Sequence, residues 1–375
     1  MIYLDHNATT PVAPEVFEAI QPYLSQEYGN PSSGYLLGRT SKDALENARA
    51  QVAKLIGCLP QEIVFTSGGT EANNMVIKGV AHSYREKGRH IITTSIEHPA
   101  ITNPCLFLME QGYDITFLPV DSTGQVNASS VSKAIRPTTI LISVMHANNE
   151  TGTIQPIERI GQIARQAGVL FHSDAAQSAG KIPIDVSILS ADFVSLAGHK
   201  LYAPKGVGAL FIKNGLNIEP LMHGAGQETG RRAGTENVML AVGLGEACSL
   251  ARKHMAVDSQ EICLLRDRLY DLLAGQIPGL VLNGHPEARL PNTLNLSLPG
   301  VDGSKLLDAI PQICASTGAA CHDRSVKLSH VLAAMDVPKE IGRGAIRLTL
   351  GIQNTKEQID AAAEMVIAAY RKLKT

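Results

Sequence analysis

Lys200 closes the run Ser195-Leu-Ala-Gly-His-Lys200, directly after a short apolar stretch. Taken alone, a lysine at the end of a strand is a solvated surface group. A lysine set beyond a strand by Gly198-His199 can instead lose its proton and condense with the aldehyde of a cofactor. That chemistry needs an acid facing the cofactor's ring nitrogen, so that the ring accepts electrons. Asp174, in Phe171-His-Ser-Asp-Ala-Ala-Gln177, ends the preceding apolar stretch and meets the need. By itself it would read as a helix cap or a turn former. The pair points to pyridoxal 5'-phosphate.

A phosphate needs backbone N–H groups at a helix start. Thr66-Ser-Gly-Gly-Thr-Glu-Ala-Asn-Asn74 predicts a strand, a glycine turn and a helix. Gly68 and Gly69 let the backbone come close, and Thr70 is expected to cap the helix and offer its hydroxyl. Neither a P-loop nor a dinucleotide fingerprint in the right strand–helix context is present. Gln177, and Asn149 in His146-Ala-Asn-Asn-Glu150, are candidates for the ring's phenolic oxygen. His98 is a candidate to stack on the ring, or else a structural histidine. Cys321, in Ala315-Ser-Thr-Gly-Ala-Ala-Cys-His322, is either a buried inert thiol or a loop nucleophile favoured by Arg324 and Lys327. Arg347 sits within the apolar run 345–349 and requires an anion. A substrate carboxylate held by two hydrogen bonds and a structural ion pair both satisfy it.

These residues need a scaffold. Val16, Phe17, Ile20, Tyr23 and Leu24 share one helical face, as do Ala44, Leu45, Ala48, Val52, Leu55 and Ile56, with Gly57 as a helix stop. Strand-like runs follow at 63–66, 90–94, 115–120, 140–145, 169–172, 193–196 and 207–212, with helical segments between several of them. Strands alternating with helices predict an α/β fold with a mostly parallel sheet covered on both faces. Sites in such sheets gather at the C-terminal ends of the strands. Beyond Gly234 two helices are expected near 237–254 and 259–275. Strands at 293–298, 312–315 and 346–350 then alternate with helices near 303–310, 326–335 and 355–373, a smaller α+β domain. The boundary falls near 255–260.

The chain has 375 residues, 44% of them hydrophobic and 18% charged, which fits two or three folded domains. Its net charge of −2 gives no steering toward nucleic acid or an anionic membrane. No stretch reaches the apolar length that spans a bilayer, and the first residues lack a secretory pattern. The six cysteines include no C-x-x-C pair, which argues against a zinc or dithiol site and fits a reducing, cytoplasmic setting.

Together the segments resemble the cysteine desulfurase and selenocysteine lyase family, in the class V aminotransferase branch of the fold-type I pyridoxal-phosphate enzymes. The likeness covers nearly the whole chain, from Tyr3-Leu-Asp-His-Asn-Ala-Thr-Thr-Pro11 past Arg347. It takes in Gly29-Asn-Pro-Ser-Ser33, Thr66–Asn74, Asn148-Asn-Glu150, Asp174–Gln177, Gly198-His-Lys200 and Arg232-Ala-Gly-Thr235. It implies a large domain at 14–255 around a seven-stranded sheet, and a small one from 1–13 and 256–375. By the same resemblance Lys200 holds the cofactor and carries the α-proton. Asp174 pairs with the ring nitrogen, His98 stacks, and Gly69, Thr70 and His199 hold the phosphate. Thr235 does so from the partner subunit of a homodimer with shared active sites. Asn149 and Arg347 bind the substrate carboxylate, and Cys321 is the nucleophile.

The implied reaction takes sulfur from L-cysteine, leaving L-alanine and a persulfide for an acceptor protein in iron–sulfur cluster or thio-cofactor assembly. Selenium release from L-selenocysteine is the alternative. Ala197 stands where such desulfurases often carry a phosphate-binding serine, a lost hydrogen bond of roughly 1.5–3 kcal/mol. Gly318-Ala-Ala-Cys-His322 is similar to animal selenocysteine lyases, whereas bacterial desulfurases more often read Gly-Ser-Ala-Cys. An aminotransferase on the same cofactor cup is a further possibility. So is a non-catalytic interaction protein, against which Lys200 and Asp174 speak.

Overall fold

The computed structural model describes residues 1–317 and 328–374. Its strands in chain order are β1 (Ile2–Tyr3), β2 (Ile63–Thr66), β3 (His90–Thr94), β4 (Asp114–Leu118), β5 (Thr139–Ser143) and β6 (Leu170–Asp174). There follow β7 (Phe193–Ala197), β8 (Gly208–Ile212), β9 (Val281–Asn283), β10 (Thr293–Ser297), β11 (Ile313–Cys314) and β12 (Ala345–Thr349). Seven form the main sheet, in the order β2-β8-β7-β6-β5-β3-β4. All run parallel except β8, which is antiparallel to both β2 and β7. The seven apolar runs of the sequence are these seven strands, with ends displaced by no more than two residues.

Strands buried on both faces are expected to be apolar throughout, and neighbouring residues here do serve opposite cores. Phe65, Ile92 and Phe211 pack with the helices Leu36–Ile56 and Ile157–Ala167. Val64, Ile91 and Leu210 pack with the helices Gly69–Ser83 and Pro99–Glu110 on the other side. Gly57 does end its helix, in the left-handed conformation at φ +71°. The helix expected over 16–24 is broken: Pro14–Ile20 stops and a short helix restarts at Pro22.

A second core joins β10 and β12 to the helix Lys356–Lys374, and it includes Ile2 and Leu4. β10 pairs antiparallel with β12 and β9, while β1 pairs in parallel with β11. The two helices expected near 237–254 and 259–275 are one helix, Val238–Ala274. Its first half places Ala241, Leu244, Ala247 and Cys248 in the first core, and its far end places Leu269 and Leu273 in the second. The polar stretch between them reads as a break, yet it contains neither glycine nor proline, so nothing interrupts the backbone ladder.

Candidate active site

Asp174 is the last residue of β6 and is buried. Its Oδ2 accepts from Asn73 Nδ2 at 2.7 Å and its Oδ1 from the Ala176 amide at 2.9 Å. Two donors hold the carboxylate at a strand end, where it can face a protonated ring nitrogen.

Lys200 ends the short turn Gly198–Lys200 that leaves β7. Its Nζ donates to the carbonyls of Asn7 and Ala8, both at 2.6 Å. Burial, with the nearby Arg347 charge, lowers its pKa to about 8, against the opposing pull of Asp5 and Asp174. An amine poised there is available as a base and a nucleophile near neutral pH.

The turn after β2 has the form of an anion cup. The helix begins at Gly69, and Gly68 precedes it at φ +152°, ψ 179°, backbone that in practice only glycine adopts. Gly68, the cap position, makes no side-chain cap bond, which leaves the first amides of the helix available to a phosphate. Thr70 is therefore not the cap; it is the second helical residue, and it is exposed. A Cβ on Gly69 would come 3.3 Å from the Ala197 methyl and 4.0 Å from that of Ala176, so Ala197 adjoins the cup without offering a hydroxyl. His199 places its Nδ1 3.2 Å from Thr9 Oγ1, and burial, with Lys200 next, lowers its pKa to about 4. Its imidazole is neutral at pH 7.

His98 caps the helix Pro99–Glu110, its Nδ1 accepting from the Ala100 amide at 3.1 Å. Its exposed ring lies within electrostatic reach of Asp174, Lys200 and His330. Gln177 is buried and donates from Nε2 to the Asn7 carbonyl at 3.0 Å. Asn149 is half-buried, and its carbonyl accepts from Arg347 Nη1 at 3.0 Å. Thr235 is exposed on a segment that Arg232 ties to Glu71 in the cup's helix, at 2.8 Å.

Arg347 is buried on β12, with Nη2 2.7 Å from Asp5 Oδ1. Of the two anions the sequence left open, the structural pair is therefore present. Among the described residues its buried Nε has no hydrogen-bond partner, so it can still receive a substrate carboxylate. Cys321, Arg324 and Lys327 lie outside the described residues. On one flank, Ser316 exchanges backbone hydrogen bonds with Arg347, at 2.6 and 3.3 Å. On the other, the Ser329 hydroxyl donates to the Glu150 carboxyl, and His330 Nε2 lies 3.1 Å from the Glu97 carbonyl.

Sequence reasoning missed Asn73, Asp5, Asn7 and Lys181. Asp5 and Asn7 lie within the matched opening segment. Their partners, however, lie hundreds of residues away, and no local pattern marks such a contact.

The strand ends thus bring a buried acid, a pKa-lowered lysine and a helix-start cup to the same end of the sheet, beyond the C-termini of β6, β7 and β2. The residues fit pyridoxal 5'-phosphate: an acid for the ring, an amine for the aldehyde, free amides for the phosphate. The aminotransferase class-V model matches residues 2–362. A cysteine desulfurase IscS of Methanosarcina thermophila is 49% identical over all of this chain and 93% of its own. The mitochondrial cysteine desulfurase of Arabidopsis thaliana is 44% identical over all of this chain and 83% of its own. A solved NifS-like protein superposes with a TM-score of 0.93 at 38% identity, covering 99% of this chain and all of that one. The chain belongs to the class-V aminotransferase family and, within it, to the cysteine desulfurases. It is an enzyme dependent on pyridoxal 5'-phosphate.

Proposed function

We propose that this enzyme removes sulfur from L-cysteine, releases L-alanine and leaves a persulfide on Cys321 for an acceptor protein in iron–sulfur cluster or thio-cofactor assembly. One observation carries the proposal: the described residues that flank Cys321 in sequence reach the site, Ser316 bonding Arg347 and Ser329 and His330 meeting Glu150 and Glu97. Burial pushes the thiols of Cys58 and Cys105 up to about 12 and raises those of Cys248 and Cys263, which makes them poor nucleophiles.

When bound, pyridoxal phosphate supplies an aldehyde for the substrate amine and an electron sink that loosens the Cα proton. Asp174 would keep the ring nitrogen protonated, His98 would lie against the ring, and Gln177 and Asn149 would serve its phenolic oxygen. The amides of Gly69 and Thr70, with His199, would hold the phosphate. Arg347 and Asn149 orient the substrate carboxylate, with Arg347 Nε a donor that has no partner among the described residues. Lys200 as the free amine takes the α-proton and later returns it. The Cys321 thiolate attacks the substrate sulfur; the C–S bond breaks, an S–S bond forms, and the carbon that loses sulfur is reprotonated to alanine.

The enzyme works as a homodimer in which Thr235 serves the partner's phosphate. Exposed Phe17, Leu24, Tyr28, Tyr35 and Leu36 support a covered surface at this end of the chain. It resides in the cytoplasm, a reading supported by the free thiols of Cys58, Cys105, Cys248, Cys263 and Cys314. No helix among the described residues is long and apolar enough to cross a membrane.

The test is turnover of L-cysteine with reductant by wild type and Cys321→Ala. Wild type yields alanine and sulfide in equal amounts, and the variant yields neither above background. Undiminished products from the variant would remove Cys321 from the mechanism. The Gly318-Ala-Ala-Cys-His322 run supports selenocysteine lyase activity as a second reading. Parallel turnover of L-selenocysteine decides between them.

A further inference from the structure

Lys181 stands four residues beyond Gln177. Its Nζ donates to the Gln177 carbonyl at 2.9 Å and to Gln177 Oε1 at 3.2 Å. At the amide's other end, Nε2 donates to the Asn7 carbonyl at 3.0 Å, and that same oxygen accepts from Lys200 Nζ at 2.6 Å. A continuous path therefore runs Lys181–Gln177–Asn7–Lys200. Reversing the amide would set its N–H groups against an ammonium and its oxygen against a carbonyl, so the path permits one orientation.

We propose that Lys181 is a positioning residue of this site, which fixes the N–H end of Gln177 toward the cofactor lysine and sets its own positive charge against that of Lys200. Both hydrogen-bond acceptors of Lys181 are atoms of an uncharged residue. Among the described residues, the charges acting on it are those of Lys200 from the β7 turn and Arg347 from β12, both cations. Lys200 also feels Asp5 near β1 and Asp174 from β6. His6 and His199 feel Lys181, and His98 feels Lys200. Glu15 and, from the long helix, His254 and Asp258 line the cavity of about 420 Å³ that Lys181 and Lys200 share.

Burial, then the two cations, lowers the Lys181 pKa to about 7. Two amines so placed oppose each other's protonation. When Lys200 is neutral or joined to the cofactor, Lys181 regains its charge. When Lys200 holds the α-proton, that charge drives it to be returned.

The proposal rests on Lys200 as the cofactor lysine, which is checked separately. Borohydride reduction of the wild-type holoenzyme and peptide mass mapping should find the cofactor on Lys200. An adduct elsewhere overturns that assignment and this proposal with it. With the adduct on Lys200, the pH titration of the bound cofactor's visible band is compared in wild type, Lys181→Met and Lys181→Arg. The Met variant should move the midpoint up by about half a pH unit or more, because a neighbouring cation is gone. The Arg variant should stay at or below wild type. Coinciding midpoints overturn the proposal. A second measurement needs no Lys181 variant: the cofactor-free chain is labelled with acetic anhydride across pH and read at Lys181 by mass spectrometry. In Lys200→Ala the midpoint should rise from about 7. An unchanged midpoint overturns the coupling.

Discussion

Lys200 carries its function and a cost in one atom. Its pKa lies at about 8 in the fold against 10.5 for a free lysine, with burial the first cause. Between those values the unfolded chain binds more protons than the folded one, so the charged amine opposes folding below pH 8 and the opposition fades as pH rises toward 10.5. Lys200→Met in the cofactor-free chain should therefore gain about 1–2 kcal/mol at pH 7, after allowing for the two lost hydrogen bonds. Urea unfolding at pH 7 and pH 10 checks this: the gain should shrink at the higher pH. A gain that does not depend on pH would show that packing, not charge, sets it. At this scale the sequence was informative where chemistry demands a residue type. Lys200, Asp174 and Gly69 could be singled out because an amine, an acid and a bare backbone turn each answer a need of one cofactor. Lys181 could not, because its role depends on which amide its side chain reaches.

The elements were legible where periodicity is strong and misleading where polarity mimics a break. The inner main-sheet strands β3, β5, β7 and β8 are buried throughout because both faces are covered. The helix Val238–Ala274 was read as two, since residues 252–261 carry no apolar stripe. That stretch bridges two cores and buries little of its own surface, so its helicity comes from continuity with the packed ends. Lys253 lies in the exposed middle. Lys253→Pro should cost about 3 kcal/mol or more, because it removes a ladder hydrogen bond and clashes with the preceding turn. Lys253→Ala should be neutral within about 0.5 kcal/mol. Circular dichroism during chemical unfolding separates the two, and a harmless proline would mean two independent helices. Thr70 was misassigned as a cap for a related reason: glycine at φ +152° moves the helix start two residues earlier than a Thr70 cap would.

Across the whole molecule, the site is closed by contacts between distant parts of the chain. Asp5 bonds Arg347 across 342 positions, and Asn7 bonds Thr293 across 286. The Asp5–Arg347 pair is largely buried, at 18% and 6% side-chain exposure, so removing one partner strands a charge. Asp5→Ala should lower stability by about 3 kcal/mol, and Asp5→Ala combined with Arg347→Met should recover much of it. A double variant no more stable than the single one would show that the loss was not electrostatic. The sequence by itself determined the sheet, the cofactor chemistry and the family, because apolar periodicity and ordered motifs are local properties of the chain. Only the tertiary structure decided that Arg347 is held by Asp5, that Asn73 holds Asp174, and that Gln177 is turned by Lys181. Each of those facts depends on distance and burial, which a chain acquires when strand ends converge and water leaves.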